Sequence, residues 1–165
     1  IHGQFIRPGQ VQALKSLGIF PSMFPMHTFY WGDWYKQIVG PEQAARISPM
    51  RSIMNTGLHA TSHTDAPVAL PNLMQVAWAT VNRTSRSGAV IGADERVTPY
   101  EAMKMITLWG AEQFGEQATK GSIQEGKLAD LVVLSDNPLT VDPATINQVQ
   151  VLGTFKEGKT VWVRE

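Results

Sequence analysis

Apolar residues alternate between helical and strand spacing over the first two thirds of the chain. After Pro8, three of them recur at helical intervals: Val11, Leu14 and Leu17. Residues 19–24 then fit a strand, and further helices are predicted over residues 72–83 and from Thr98, which begins a capping box. Because a crossover helix returns the chain to lay the next strand parallel, this alternation predicts an α/β fold with parallel strands.

The segments between these elements are predicted to be loops and short helical turns. Residues 28–36 carry five aromatic side chains and are predicted to form a loop after the first strand. Two short helical segments follow, and the second is predicted to be capped by Ser48. The polar residues 84–97 are predicted to form a surface loop, with Arg83 and Arg86 in solvent.

The most polar strand candidate covers residues 58–68, a run that ends in a carboxylate and is stopped by proline. Side chains in a strand alternate between two faces, so one face would carry four polar residues: His59, Thr61, His63 and Asp65. Two imidazoles and a carboxylate on an inward face require hydrogen bonds, an ionic partner or a metal. A solvated edge strand is the alternative, and Asp65 is the candidate for chemistry.

The composition limits the partners and the metal ligands. Fourteen Lys and Arg balance fourteen Asp and Glu, so no basic field would attract nucleic acid or a membrane surface. The chain has no cysteine, which leaves imidazole and carboxylate groups to hold any metal. No apolar run is long enough to cross a bilayer, so we expect a soluble protein, with a cytoplasmic location favoured.

From about residue 119 the pattern changes to short strands separated by tight turns. Residues 120–134, KGSIQEGKLADLVVL, place glycine turns around a polar stretch before an apolar strand that is predicted to be buried. This segment resembles the tail of the amidohydrolase superfamily, in which the chain leaves a metal-dependent (β/α)8 barrel and closes a small β-sandwich. The resemblance implies an α/β partial TIM barrel in residues 1–118 and strands of the sandwich in residues 119–165.

Four further stretches resemble the YtcJ-like branch, or amidohydrolase family 3, and extend the likeness over nearly the whole chain. They are Ile1-His2-x-Gln4, Pro25-x-His27, Arg51-Ser52 with Gly57, and Thr64-Asp65-x-Pro67-Val68. By this resemblance they would be the end of barrel strand six, the end of strand seven, the helix that follows it, and strand eight. Since the chain would begin at the end of a strand, we expect that the front of a longer protein is missing.

The resemblance also implies roles for individual residues. His2 would be a metal ligand, and Asp65 would bind the metal and take the proton of the attacking water. His27 would line the substrate or transition-state site. His63 replaces a residue that is usually small, and it is either a partner that positions Asp65 or a tolerated variant. Arg51 would form a structural ion pair or reach the substrate.

The implied activity is hydrolysis of an amide-like C–N bond, or of an ester, by water bound to a divalent metal, with zinc favoured by the ligand types. The chain has four histidines and no His-x-His pair, so part of such a site would lie outside it. The isolated chain is therefore predicted to bind metal weakly and to be inactive.

Its expected partners are a small-molecule substrate and either the missing N-terminal segment or a second copy. A non-catalytic binding or assembly module on the same scaffold is the alternative.

Overall fold

The computed structural model describes all 165 residues, in seven α-helices, two 3₁₀ helices and five strands. The α-helices are α1 Pro8–Ser16, α2 Met26–Ile38, α3 Pro41–Ala45, α4 Met50–Asn55, α5 Leu73–Asn82, α6 Pro99–Ile106 and α7 Leu108–Gln113. The strands are β1 Ser22–Met23, β2 Thr61–Ser62, β3 Leu131–Leu134, β4 Val151–Lys156 and β5 Lys159–Val163, and the 3₁₀ helices are Ala93–Glu95 and Pro143–Gln148. The predicted α/β class is confirmed. None of the helices combines the length and the apolar character needed to cross a membrane.

Three parallel segments lie at the centre of the first two thirds of the chain. β1 and β2 pair in parallel, and His2 forms a parallel bridge with Met23 on the opposite edge of β1. Each strand has two residues, so the strands predicted over residues 19–24 and 58–68 are too long. The chain turns away from β2 at Asp65, whose φ of +53° lies in the left-handed region.

The aromatic segment is a helix, and the prediction of a loop is wrong. Residues 28–36 lie inside α2, which has no side-chain cap at its start. Three of its aromatic residues pack against a small apolar cluster that includes Phe24 and Val76: Phe29, Tyr30 and Trp31. The helix is therefore stabilised by tertiary packing, for which the local sequence contains no signal.

Two predicted helix starts agree with the structure. The Thr98 hydroxyl accepts the N–H of Glu101, whose carboxylate accepts the N–H of Thr98, and this capping box begins α6. α5 begins after Asn72, whose side-chain oxygen accepts two backbone N–H groups. Both helices contribute to a core of 12 buried residues, in which Met105 of α6 packs with Met23 of β1. The core therefore includes a residue of the parallel pair as well as the two helices.

Arg83 is fully buried, so the prediction that it lies in solvent is wrong. Its guanidinium donates to four backbone carbonyls, those of Ile47, Ile91 and Ser48 at 2.6, 2.7 and 2.9 Å and that of Ala45 at 3.5 Å. Burial lowers the pKa of Arg83 to about 10, which still leaves the group charged at neutral pH. The cost of burying this charge is offset by carbonyls from two other segments of the chain, residues 45–48 and residue 91. Arg86 is exposed, as predicted.

The last third of the chain forms an antiparallel sheet in the order β3-β4-β5. β3 matches the predicted strand, but Leu131, Val132 and Val133 are 41%, 50% and 48% exposed, so the prediction that it is buried is wrong. A strand is buried only where a second layer packs on it, and no other sheet covers this one. The attachment is instead through Pro143–Gln148, where Ile146 enters the main core. The boundary at residue 119 stays a prediction.

Candidate active site

Four polar side chains meet where the three parallel segments end: His2, His27, His63 and Asp65. His2 lies on the bridge beside β1, and His27 lies in the first turn of α2, soon after β1. His63 and Asp65 follow directly after β2. Because parallel strands bring their carboxyl ends to one edge, residues that are far apart in sequence become neighbours there.

His2 and Asp65 are in direct contact. His2 Nε2 lies 3.0 Å from Asp65 Oδ2, and the two side chains are 35% and 30% exposed. Their φ angles of +70° and +53° are uncommon for residues that carry a side chain, and each costs on the order of 1 kcal/mol. The carbonyl of Asp65 accepts the N–H of Val68 at 2.7 Å, which closes the turn. The pair is therefore held by strained backbone at a rim that is open to solvent.

His63 and His27 are more enclosed than this pair. The ring of His63 stacks on Phe24 at a centroid distance of 5.4 Å and lies 5.0 Å from the ring of His2. Its Nε2 is buried and has no hydrogen-bond partner. The ring of His27 lies 6.2 Å from that of His2. Burial, followed by the nearby His2 and His63, lowers the pKa of His27 to about 4, and burial also lowers the pKa of His63.

Ser48 contacts His27 from the interior, a contact that the sequence did not predict. Its hydroxyl lies 3.3 Å from His27 Nδ1 and 3.1 Å from the carbonyl oxygen of Phe24. The prediction of Ser48 as a helix cap is wrong, because α4 has Pro49 at its N-cap position and no side-chain cap. A serine before a proline is typical of helix starts, so no local signal indicates a histidine 21 residues earlier as the partner.

Arg51 belongs to an ion pair outside this cluster. Its guanidinium donates to both carboxylate oxygens of Glu101 at 2.9 and 2.6 Å. The Arg51 guanidinium lowers the pKa of the Glu101 carboxyl to about 2. The pair ties α4 to α6 and does not bring Arg51 to the four residues at the strand ends, and the role of Arg51 stays a prediction.

His59 also lies away from the cluster, before β2 rather than after it. Its ring stacks on Trp109 at 4.5 Å, and its Nδ1 lies 2.7 Å from Glu112 Oε2. The Thr61 hydroxyl donates to Gln113 on the same helix, α7. The predicted polar row is therefore divided, because the regular strand is too short to keep its residues on one face.

The side chains at the strand ends are of the types that bind a metal ion, but they are too few to complete a metal site. Imidazole nitrogen and carboxylate oxygen are both ligands of zinc, but His2 Nε2 and Asp65 Oδ2 lie 3.0 Å apart, closer than the ~3.4 Å between two ligands of a tetrahedral zinc ion. No group of three His, Asp or Glu side chains is arranged to hold a metal. A complete tetrahedral site therefore needs further donors.

Comparison with known proteins identifies the family. The sequence profile of the amidohydrolase family matches residues 1–162. The chain belongs to the amidohydrolase family. The amidohydrolase YtcJ of Bacillus subtilis is 23% identical over 165 residues, which are 98% of this chain and 31% of YtcJ. The predicted membership, including the YtcJ-like branch, is confirmed.

Two further similarities extend this result. The N-substituted formamide deformylase of Arthrobacter pascens is 31% identical to this amidohydrolase chain over 158 residues, which are 95% of the chain and 29% of the deformylase. A crystal structure of an adenosine deaminase from Xanthomonas campestris with bound zinc has a TM-score of 0.71 at 18% identity, and covers 98% of this chain and 36% of that one. At this identity the likeness shows the fold alone. The chain spans between 29% and 31% of the length of the two relatives.

Proposed function

We propose that this chain is the carboxy-terminal part of a metal-dependent amidohydrolase that hydrolyses an amide-like C–N bond with metal-activated water. The observation that carries the proposal is the contact between His2 and Asp65 at the ends of parallel segments. Catalytic groups of a (β/α)8 barrel stand at the carboxyl ends of its strands. We accordingly assign His2, β1 and β2 to the last three strands of a barrel, and β3 to β5 to the closing sandwich.

His2 Nε2 and Asp65 Oδ2 would hold the metal. Zinc is the favoured ion, because both donor types suit it and the similar adenosine deaminase contains it. When bound, such an ion lowers the pKa of its water from 15.7 to roughly 7 and polarises the bond under attack. The remaining donors would come from the part of the amidohydrolase outside these 165 residues, or from a second copy.

Each residue at the strand ends has a proposed task. Asp65 accepts the proton of the attacking water and delivers it to the leaving nitrogen, since its carboxylate is accessible at the rim. His27 lines the substrate site as a neutral ring, because its pKa is lowered to about 4. His63 orients the pair, since its ring lies edge-on to that of His2 at 5.0 Å.

The substrate is proposed to be a small molecule with an amide-like C–N bond rather than an ester. This choice is supported by two similar proteins, an N-substituted formamide deformylase and an adenosine deaminase. N-substituted formamides are therefore the first compounds to assay, with release of the amine as the readout.

The test is Asp65→Asn in the intact protein that contains this chain. Asparagine has the same size but cannot accept the proton, so kcat is expected to fall by about 10²–10⁴-fold. Glu112→Gln is the matched control, since it removes the other carboxylate that contacts a histidine, and it should keep full activity. Undiminished turnover by Asp65→Asn would remove Asp65 from this role.

Elemental analysis of the same intact protein tests the metal. We expect bound zinc, and we expect a chelator to abolish turnover. A stable oligomer in light scattering that contains no metal and turns over none of the formamides would favour the alternative, a binding or assembly module.

A further inference from the structure

The contact between Ser48 and His27 determines where the ring carries its proton. A serine hydroxyl has one hydrogen and two lone pairs. The carbonyl oxygen of Phe24 can only accept, and at 3.1 Å it is nearer to Ser48 Oγ than His27 Nδ1 is, so the hydroxyl hydrogen is assigned to it. The same oxygen has only lone pairs left for His27 Nδ1, 3.3 Å away. With the hydroxyl hydrogen on the Phe24 carbonyl, His27 Nδ1 makes this contact as the protonated nitrogen.

The other ring nitrogen of His27 is left as an acceptor. In a neutral imidazole one nitrogen donates and the other accepts, so a proton on Nδ1 leaves a lone pair on Nε2. Nε2 has no hydrogen-bond partner within the protein and is not sealed in the interior. The ring centroid lies 6.2 Å from that of His2, so this acceptor belongs to a ring at the candidate active site.

Ser48 is held in place by its burial and by hydrogen bonds of its backbone. It is fully buried, and its φ of +46° is a conformation that residues with a side chain rarely adopt. Its N–H donates to the carbonyl of Gln4 at 2.9 Å, and its carbonyl accepts Nη1 of the buried Arg83 at 2.9 Å. Arg83 also binds the preceding carbonyl, that of Ile47. These bonds fix the backbone of Ser48 and thereby the position of its hydroxyl.

We propose that Ser48 is a positioning residue that fixes His27 as the Nδ1–H tautomer and thereby presents the Nε2 lone pair to the substrate. As an acceptor, Nε2 can take a hydrogen bond from a substrate N–H group, or from the water that attacks it. This consequence for catalysis rests on the proposed function, whereas the tautomer itself does not. Arg83 supports the arrangement by holding the backbone on which Ser48 stands.

Nitrogen NMR spectroscopy of the full chain labelled with ¹⁵N-histidine tests the tautomer without any assay of activity. Ring ¹⁵N shifts distinguish a protonated nitrogen from a bare one, and the loss of signals in His27→Gln assigns them. For the wild type we expect a protonated Nδ1 and a bare Nε2 at neutral pH. Ser48→Gly removes the hydroxyl and relieves the positive φ. In this variant we expect either intermediate shifts for both nitrogens, as in a mixture of tautomers, or a protonated Nε2 with a bare Nδ1.

Ser48→Ala should give the same change, and the glycine variant keeps the test valid if the alanine variant fails to fold. Ser85→Ala is the matched control, because Ser85 is also buried, donates its hydroxyl to Asp33 and contacts no histidine. Its His27 shifts should equal those of the wild type. A bare Nδ1 in the wild type, or unchanged His27 shifts in the folded Ser48 variants, would overturn the proposal.

The intact protein provides the second readout. If it turns over formamides, Ser48→Gly should lower kcat by about 10–100-fold, with little change in KM. A large fall in kcat without a change of tautomer would contradict the assigned role of Ser48. If the intact protein has no hydrolase activity, the proposed function fails, whereas the tautomer is still decided by the NMR result.

Discussion

Two histidine–carboxylate pairs lie at opposite ends of β2, in different surroundings. At the carboxyl end, His2 Nε2 and Asp65 Oδ2 are 3.0 Å apart, and at the other end His59 Nδ1 and Glu112 Oε2 are 2.7 Å apart. By distance alone the second pair is the tighter one. Yet the first pair has two enclosed histidines beside it, whereas the second lies at the surface against the ring of Trp109.

Unfavourable surroundings therefore mark a candidate site better than a single short contact does. At the carboxyl end, several features cost stability: positive φ at His2, Ser48 and Asp65, an unpartnered Nε2 on His63, and the buried charge of Arg83. A fold keeps such features where other contacts enforce them, and they are common at functional sites. The pair at the other end of β2 needs none of them.

The largest effect is expected from removing the arginine that supports the carboxyl end. In Arg83→Met, the buried carbonyls of Ile47 and Ile91 lose their donor, at about 1–3 kcal/mol each. The carbonyl of Ser48 loses its bond to the guanidinium but keeps the N–H of Met50. The free energy of unfolding, measured by urea denaturation, should therefore fall by about 4 kcal/mol or more. Arg86→Met, in the exposed part of the same loop, should stay within about 0.5 kcal/mol of the wild type. Equal losses in both variants would contradict this explanation.

Arg83 also shows where prediction from the sequence ends. The capping box at Thr98 could be predicted, because its partner Glu101 lies within one turn of the same helix. The burial of Arg83 depends on carbonyls 35 and 36 residues before it, together with one 8 residues after it, which no local pattern contains. The error at Ser48 has the same origin, since its partner lies in another element.

The candidate site divides in the same way. The family resemblance indicated His2, His27 and Asp65, and the strand alternation indicated His63, which departs from the family pattern. The structure brings all four together at the strand ends, although their roles stay predictions. The residues alone could not indicate how far each histidine ring is buried, because burial depends on packing between elements. The exposure of β3 is a further case, since an apolar strand is buried only by a layer that packs on it.

The next effect in size is a loss of stability in acid that originates at the carboxyl end. The pKa of His27 is about 4 in the folded chain, against 6.5 for an unperturbed ring, mainly because burial disfavours the charged form. Above pH 6.5 the full stability is present, and between 6.5 and 4 the unfolded chain binds a proton that the folded chain does not. The free energy of unfolding should therefore fall by on the order of 3 kcal/mol as the pH is lowered through this range.

Urea denaturation at a series of pH values checks this loss. His27→Gln removes this ring and should reduce the pH dependence over that range, leaving the part that comes from His63, whose pKa burial also lowers. Thr28→Val is the control, because Thr28 is also buried in the first turn of α2 and its hydroxyl donates to the carbonyl of Pro25. It should lower stability by a similar amount at every pH. If His27→Gln kept the slope of the wild type, the loss in acid would have to be assigned to other groups.

The smallest effect is expected at the other end of β2. The side chains of His59 and Glu112 are 43% and 36% exposed, and exposed ion pairs contribute about 0.2–1 kcal/mol. A double-mutant cycle with His59→Gln and Glu112→Gln, followed by urea denaturation, should thus give a coupling energy below about 1 kcal/mol. Glu112→Gln should also leave the zinc content of the intact protein unchanged. A coupling above about 2 kcal/mol, or a loss of zinc, would make the two ends equivalent and remove the contrast on which the site assignment depends.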